Sequence, residues 1–437
     1  MTTSSPPTPG VSPLAASLAS RGVYYGWVVV AVTFLTMMVG ASAVGAPSVL
    51  IGPLQAEFNW DIADISAVFG VRMALFGLVG PFAAVLLNHF GVRRVASVAL
   101  ILVGLGVAGS YEMTGLWQLF LLWGIVVGTG TGLTAMVLGA TIATRWFLTR
   151  RGLVTGLLSA SLAGGQLVFL PVFASLSESH GWRVALTLLL VMIFSTLLVV
   201  HALMRDWPAD VGLRPYGAGA SPAESAQSAS FWTMLASPIV VLAEVSRSTT
   251  FWVLFGTFFV CGATTNGLVQ THLITICGDF GILPVTAAGM LAAIGAFNLV
   301  GTVASGWLSD RYDGRWLLFW YYGLRGLSLL YLPFTDFGFY ELTLFTVFYG
   351  LDWLATVPPT VKLTADRFGS KATIVYGWVF VGHQIGAAIA AYGAGFVRGL
   401  YATYLPAFYV AGLLCMFAAV AIFAVRPPRD DLNPETA

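Results

Sequence analysis

The sequence predicts an all-α membrane protein built from twelve transmembrane helices in two similar halves of six. The first observation is composition: 58% of the 437 residues are hydrophobic and only 9% are charged, whereas soluble domains are about 45–50% apolar and about 25% charged. The second is a series of long apolar segments, and the third is a repeat between the two halves. The net charge of +1 favours neither nucleic acid nor an acidic partner.

A helix needs about 20 predominantly apolar residues to cross the hydrocarbon layer. Twelve segments are candidates, and the longest polar interruption falls after the sixth. It divides the chain into a tail 1–22 that we expect to be disordered, a six-helix half 23–204, a linker loop 205–248, a second half 249–425 and a tail 426–437. The candidates, numbered spans 1 to 12, are 24–46, 64–87, 95–111, 116–142, 152–176, 182–204, 249–276, 285–308, 316–334, 340–361, 373–396 and 402–424.

The distribution of Lys and Arg predicts the orientation, because short cytoplasmic loops carry an excess of both. The chain has 20 Lys and Arg residues. With these span boundaries, Arg72 and Arg325 lie within the membrane and Arg183 and Arg398 lie on one side of it. The other sixteen lie on the opposite side. That side holds both termini and the linker. We therefore predict a multi-pass protein of the bacterial cytoplasmic membrane with both termini in the cytoplasm.

The two halves repeat each other at an almost constant offset. Asn88 and Asp310 follow spans 2 and 8 and are 222 residues apart, as are Arg145 and Arg367 at the ends of spans 4 and 10. Two six-helix halves of this kind are typical of secondary transporters, in which two bundles rock around a central site.

The loops after spans 2 and 8 resemble the G-x-x-x-D-R-x-G-R-K motif of the major facilitator superfamily. The second copy reads GWLSDRYDGR, and the first reads AVLLNHFGVRR, with Asn in place of the acid. In that family the motif is a conformational latch on the cytoplasmic face, with arginines in contacts between the halves. The resemblance implies this role, beside the simpler one of setting topology, for Asn88, Gly91, Arg93, Arg94, Gly306, Asp310, Arg311 and Arg315.

Two more stretches resemble bacterial relatives of the monocarboxylate and oxalate–formate carriers. They are YYGWVVV at the start of span 1 and RWFLTRRGLVTGLLSASLAGGQ at the start of span 5. This resemblance implies transport of a small organic anion, with H⁺ as a coupling ion or by exchange. The acid and arginine that those relatives carry in span 8 would fall near Asn298 and Thr302. A proton-coupled exporter of hydrophobic drugs or metabolites is one alternative, and a membrane sensor that does not transport is another.

Three charged residues, Arg72, Arg325 and Asp352, lie deep within spans, where a charge is costly and indicates function. Arg325 and Asp352 lie on antiparallel neighbours, and a rise of about 1.5 Å per residue brings them to similar depth. We expect an ion pair that either locks two helices or handles substrate or a proton. Arg72 has no acid at its depth, so it is either an anchor that snorkels outward or the receptor of a substrate carboxylate.

Uncharged polar side chains complete the candidate site. Asn266 and Gln270 share one face of span 7, and Tyr349 begins a polar stripe on span 10 that continues to Thr360. Hydrogen bonding between helices is the alternative role for each. The candidate substrate-binding residues are Arg72, Gln166, Asn266, Gln270, Tyr349, His383 and Gln384. The sequence contains no metal-ligand spacing, nucleotide motif or catalytic triad, so we expect no cofactor and no enzymatic activity, and a monomer surrounded by membrane lipid.

Overall fold

The computed structural model describes residues 12–134, 136–218, 231–309 and 311–425. Over these residues the predicted twelve-span helical architecture is confirmed, and nine helices are long and apolar enough to cross a membrane by length and composition. Large apolar side chains such as Val303 and Phe417 lie on the outside of the bundle, 75% and 71% exposed. Hydrocarbon is the solvent that suits such a surface.

Spans 1 to 6 comprise Gly26–Gly45 with Pro47–Phe58, Ile62–Phe90, Val92–Gly109, Leu116–Trp146, Arg151–His180 and Trp182–Leu203. Spans 7 to 12 comprise Thr249–Asp279, Pro284–Ser309, Gly314–Tyr331, Phe339–Asp352 with Val357–Phe368, Ala372–Tyr401 and Leu405–Ala421.

The halves meet along two pairs of helices. Spans 2 and 11 form one pair and spans 5 and 8 the other. Gly70 lies against the carbonyl of Ala388, and Gly77 lies against the side chain of Gln384. A β-carbon at Gly70 would meet the Ala388 carbonyl oxygen, so the absence of a side chain permits this close approach.

Spans 1, 4, 7 and 10 are irregular near their middles. Span 1 restarts at Pro47, and spans 4 and 7 contain the π-helical segments Phe120–Val127 and Ala263–Gln270. Span 10 opens between Asp352 and Val357. Irregular backbone at membrane depth is tolerated where it is buried in protein or lines a cavity, and π-bulges are frequent at functional sites.

The break in span 10 corrects the continuous helix predicted over 340–361. Pro358 and Pro359 have no N–H to donate to the carbonyls one turn earlier, and they begin the second helix instead. The stripe from Tyr349 to Thr360 therefore does not follow a single helical face.

Two further helices lie where the sequence predicted a disordered tail and a loop. Pro13–Ser20 forms a helix whose Ala15 is buried, so residues 12–20 depart from that expectation. Phe231–Val245 forms the second helix, within the linker, and packs against spans 2 and 11. The Trp378 indole donates to the Pro238 carbonyl at 2.8 Å, which ties the linker helix to span 11.

Candidate functional site

A cavity of about 210 Å³ lies between the two halves. Spans 1, 2, 4, 5, 7, 8, 10 and 11 all contribute side chains to its wall, which we call the central cavity. Asn266 and Gln270 reach it from the π-helical segment of span 7, and His383 and Gln384 reach it from span 11. The structure thus brings these four predicted binding residues together.

Three residues that line the central cavity each carry a buried polar atom that has no hydrogen-bond partner within the described part of the chain. The atoms are Nε2 of Gln270, Nδ1 of His383 and the hydroxyl of Tyr376. The His383 ring stacks on Phe380, with centroids 5.6 Å apart. Because buried polar groups are nearly always hydrogen-bonded, these atoms are suited to meet a substrate. Sequence reasoning missed Tyr376, which lies near the N-terminal end of span 11.

Asn298 and Thr302 also line the central cavity, at the positions where the resemblance placed an acid and an arginine. The Thr302 hydroxyl donates to Oδ1 of Asn298 at 2.8 Å, and the backbone N–H of Leu354 donates to the same oxygen at 3.1 Å. A neutral hydrogen-bonded pair therefore occupies this site. Over the residues that the structure describes, no Asp, Glu, Lys or Arg side chain lines the cavity.

Arg325 and Asp352 form the ion pair expected from their depths, outside the cavity lining. The two residues are 1% and 7% exposed, and Nε of Arg325 lies 2.5 Å from Oδ2 of Asp352. Nη2 of Arg325 donates to the carbonyls of Asp352 and Trp353, at 2.7 and 3.2 Å. Nη1 donates to the Cys261 sulfur at 2.9 Å, so every nitrogen of the guanidinium has a partner.

Tyr349 is buried near this pair rather than at the central cavity. Its hydroxyl donates to the carbonyl of Thr264 at 2.7 Å, within the π-helical segment of span 7. Thr356 lies 3.3 Å from the sulfur of Cys261, and Thr360 bonds back to its own helix. These side chains hold spans 7 and 10 together. For Gln166 the structure describes the helix position in span 5 but not the side chain.

Arg72 is fully buried, and all three of its side-chain nitrogens lack a hydrogen-bond partner among the described residues. Its backbone packs against Gly128 of span 4. It does not line the central cavity, although Phe76, one turn further along span 2, does. The buried arginines of the described chain are Arg72, Arg145 and Arg325, and Arg72 alone among them has no partner.

At the end of span 2, Asn88 binds Arg145 of span 4 instead of a helix N-terminus. Nη2 of Arg145 donates to Oδ1 of Asn88 at 2.6 Å and to the carbonyl of Leu87 at 3.1 Å. The guanidinium lies 4.2 Å from the ring centroid of Trp207. Arg145 thus caps the C-terminal end of span 2 with a favourable charge.

A carboxylate caps spans 3 and 9 at equivalent positions but from different sources. Asp206, beyond span 6, accepts from the backbone N–H of Arg93 at 2.8 Å, and Asp313 accepts from that of Arg315 at 2.9 Å. Gly91 has a φ of +86° and lies against the Asp206 carboxylate, so a side chain there would be strained. Sequence reasoning missed Asp206, because its partner is more than one hundred residues away.

The remaining motif residues contact their own half or solvent. The Arg311 guanidinium lies 4.0 Å from the ring centroid of Trp307, and Arg94 is exposed. Gly306 has open space at its α-carbon. Asp310 lies outside the described residues. Arg311 and Arg315 bond within the second half, and Arg93 bonds within the first half and to the linker, whereas the resemblance implied contacts between halves.

The comparisons with known proteins agree with this architecture. The profile of the Major Facilitator Superfamily matches residues 28–391 and 273–437. The chain is 24% identical over 349 residues to "Uncharacterized MFS-type transporter YcxA" of Bacillus subtilis, covering 78% of this chain and 81% of that protein. It is 27% identical over 392 residues to "Monocarboxylate transporter 13" of Rattus norvegicus, covering 89% and 86%. The crystal structure of a D-xylose-proton symporter matches with a TM-score of 0.69 at 16% identity, covering 92% and 98%.

Proposed function

The chain belongs to the major facilitator superfamily of membrane transporters, and we propose that it carries a small organic acid of the monocarboxylate type by alternating access. Transport is coupled to H⁺ or proceeds by exchange. The protein works as a monomer, since one chain supplies both halves and the described lining of the central cavity. It lies in the bacterial cytoplasmic membrane with both termini in the cytoplasm.

The observation that carries this proposal is the set of free polar atoms at the central cavity. Gln270 and Tyr376 offer hydrogen-bond donors, and His383 offers a ring nitrogen, and none of the three has a partner among the residues that the structure describes. A carboxyl group presents two acceptor oxygens, which match such donors. The volume of about 210 Å³ is below the roughly 300–1,000 Å³ of typical drug-sized pockets, which favours a small substrate. Relatives named monocarboxylate transporters 12 and 13 also support this substrate class.

The neutral lining supports coupling to a proton. An ionised carboxylate is costly in a dry cavity without a counter-charge, whereas an acid carried together with H⁺ is neutral overall. Two groups are suited to hold that proton: the carboxyl group of the substrate and Asp352. Oδ1 of Asp352 has no hydrogen-bond partner within the described residues, so it has the capacity to take one.

Arg72 is proposed as a carboxylate receptor in another state of the cycle. In the present structure its guanidinium lies outside the central cavity, one helical turn from the lining residue Phe76. A buried arginine fork with no protein acceptor is the group that binds a carboxylate through two oxygens. A rearrangement of spans 2 and 4 would join it to the cavity.

The second candidate is export of a neutral hydrophobic compound. Aromatic side chains form much of the cavity wall, and Phe76, Phe258 and Trp353 represent three different spans. Such a lining binds apolar rings as well as the methyl group of a short acid.

Uptake by proteoliposomes separates the two candidates. Purified protein is assayed with labelled acetate, lactate, pyruvate and ethidium, with an imposed pH gradient and with a protonophore. The proposal predicts saturable carboxylate uptake that collapses when the gradient is removed, or counterflow of one carboxylate against another. Ethidium extrusion without carboxylate transport would overturn it.

A further inference from the structure

The break in span 10 lies at the wall of the central cavity. Residues 353–356, here called the span 10 turn, separate the helices Phe339–Asp352 and Val357–Phe368. Trp353, Leu354 and Val357 all line the cavity. A broken helix leaves carbonyl groups without their usual partners, and at membrane depth other groups must satisfy them.

Two side chains from spans 8 and 9 donate to carbonyls of the turn, in addition to the Ala355 N–H that donates to the Asp352 carbonyl at 3.2 Å, and a third side chain accepts from an N–H of the turn. Arg325 donates to the carbonyls of Asp352 and Trp353 at 2.7 and 3.2 Å. The Ser305 hydroxyl donates to the carbonyl of Ala355 at 2.5 Å. Asn298 accepts from the N–H of Leu354 at 3.1 Å. Both carbonyl and N–H groups of the turn are therefore hydrogen-bonded by side chains from outside span 10.

The first half of the chain shows that the fold does not need an ion pair at this place. Counting back by the 222-residue offset, Val103 is the equivalent of Arg325 and Gly130 is the equivalent of Asp352. Gly130 packs against the Val103 side chain and the Ala99 carbonyl. An apolar contact thus joins spans 3 and 4 where a charged fork joins spans 9 and 10. The helix Gly128–Leu133 of span 4 also ends at the equivalent place, with Thr134 as its C-cap, so the fork is needed to hold the turn of span 10 and not to break the helix.

We propose that Arg325 is a positioning residue that holds the span 10 turn in the cavity wall, with Asp352 orienting its guanidinium. The essential property is the fork: Nε holds the carboxylate while Nη2 spans two carbonyls. An ion pair that only locked spans 9 and 10 together would need the charge of Arg325 but not the shape of its guanidinium. This inference rests on the proposal that the central cavity holds the substrate.

Arg325→Lys tests the proposal, because lysine keeps the charge but cannot reach the carboxylate, both carbonyls and Cys261 from one nitrogen. We expect the KM for lactate uptake to rise about tenfold, the factor that loss of one hydrogen bond to a charged group brings. The maximal rate should stay within about twofold, as uniform loss of binding requires. Amide hydrogen exchange in a peptide covering 352–360 should accelerate.

Ser305→Ala provides a second, milder variant. Ser305 is absent from the cavity lining, and its side chain also hydrogen-bonds Tyr321. An effect that passes through the Ala355 carbonyl must therefore raise KM and accelerate hydrogen exchange in 352–360 together. We expect a rise of about threefold, as for loss of a neutral hydrogen bond. Arg398→Lys is the matched control, since Arg398 forms a two-point pair with Asp279 at the chain surface, at 2.8 and 2.9 Å. It should leave KM and exchange in 352–360 unchanged.

The outcomes separate this inference from the proposed function. Normal KM and normal exchange in Arg325→Lys would overturn the inference, and so would a loosened turn with an unchanged KM. Gln270→Ala tests the cavity itself: if its KM for lactate is normal, the proposed site fails. The hydrogen-exchange result still decides whether Arg325 holds the turn in that case, because it requires no substrate.

Discussion

Replacement of Arg72 by methionine should make the protein more stable and less active. The side chain is fully buried, and its three nitrogens have no partner among the described residues. Replacing a buried ion pair by hydrophobic side chains of similar volume is neutral or stabilising by about 1–4 kcal/mol, although the pair's mutual attraction is lost. An unpaired cation lies at the upper part of that range, so we expect a gain of about 2–4 kcal/mol.

Transport should change in the opposite direction. If Arg72 receives the substrate carboxylate, its loss removes charge-assisted hydrogen bonds of about 1.5–3 kcal/mol each, which is about a 10- to 150-fold loss of affinity per bond. Arg72→Lys should also lose uptake, because it keeps the charge but not the two-oxygen fork. Expression of both variants should persist.

Thermal unfolding in detergent and lactate uptake by proteoliposomes measure the two effects side by side. Arg398→Met is the control, because that arginine is paired with Asp279 at the surface and should give no gain in stability. Near-normal uptake by Arg72→Met or Arg72→Lys would remove Arg72 from the site. A drop in the melting temperature of Arg72→Met would refute the conclusion that its guanidinium lacks a partner.

Three further predictions concern groups with defined partners. Asp352→Asn should lower the free energy of unfolding by about 3–5 kcal/mol, since it leaves the Arg325 charge buried without its carboxylate. If the variant is instead stable and exchanges substrate but has lost proton coupling, Asp352 is a protonation site. Asp206→Ala should cost about 1 kcal/mol in thermal unfolding through the lost cap of span 3, and an unchanged melting temperature would contradict that cap. The hydrogen bond from Arg315 holds the pKa of the Asp313 carboxyl below its usual value, so this carboxylate contributes stability above about pH 4 that is lost as pH falls through its lowered pKa. Asp313→Asn should reduce this acid-induced loss, and an unaltered stability–pH curve would refute it.

Composition and periodicity were enough to predict the twelve spans and the two-half architecture, because the membrane imposes length and hydrophobicity on every helix. The ion pair between Arg325 and Asp352 could also be predicted, since antiparallel neighbours with a fixed rise bring known positions to known depths. The break in span 10 was indicated by Pro358 and Pro359. Its exact position depends on spans 8 and 9, which stabilise the open turn, and this information is tertiary.

The polar wall of the central cavity was only partly predictable. Helical spacing identified Asn266 and Gln270 as one face of span 7, but it does not tell which way a helix is rotated in the bundle. Tyr376 therefore escaped notice as an aromatic residue at a span boundary. Tyr349 was assigned to the cavity, whereas the structure turns its hydroxyl toward Thr264.

The most direct test of the account measures binding to the central cavity. Thermal unfolding is followed with acetate, lactate and pyruvate, and with ethidium as the hydrophobic probe, at pH 5 and pH 8. The variant Ala41→Phe fills the cavity from its lining, and Val303→Phe, on the exposed side of span 8, is its control. The account predicts that a monocarboxylate raises the melting temperature more at pH 5, in the wild type and the control but not in Ala41→Phe. Stabilisation by ethidium alone, or carboxylate stabilisation that survives in Ala41→Phe, would contradict it.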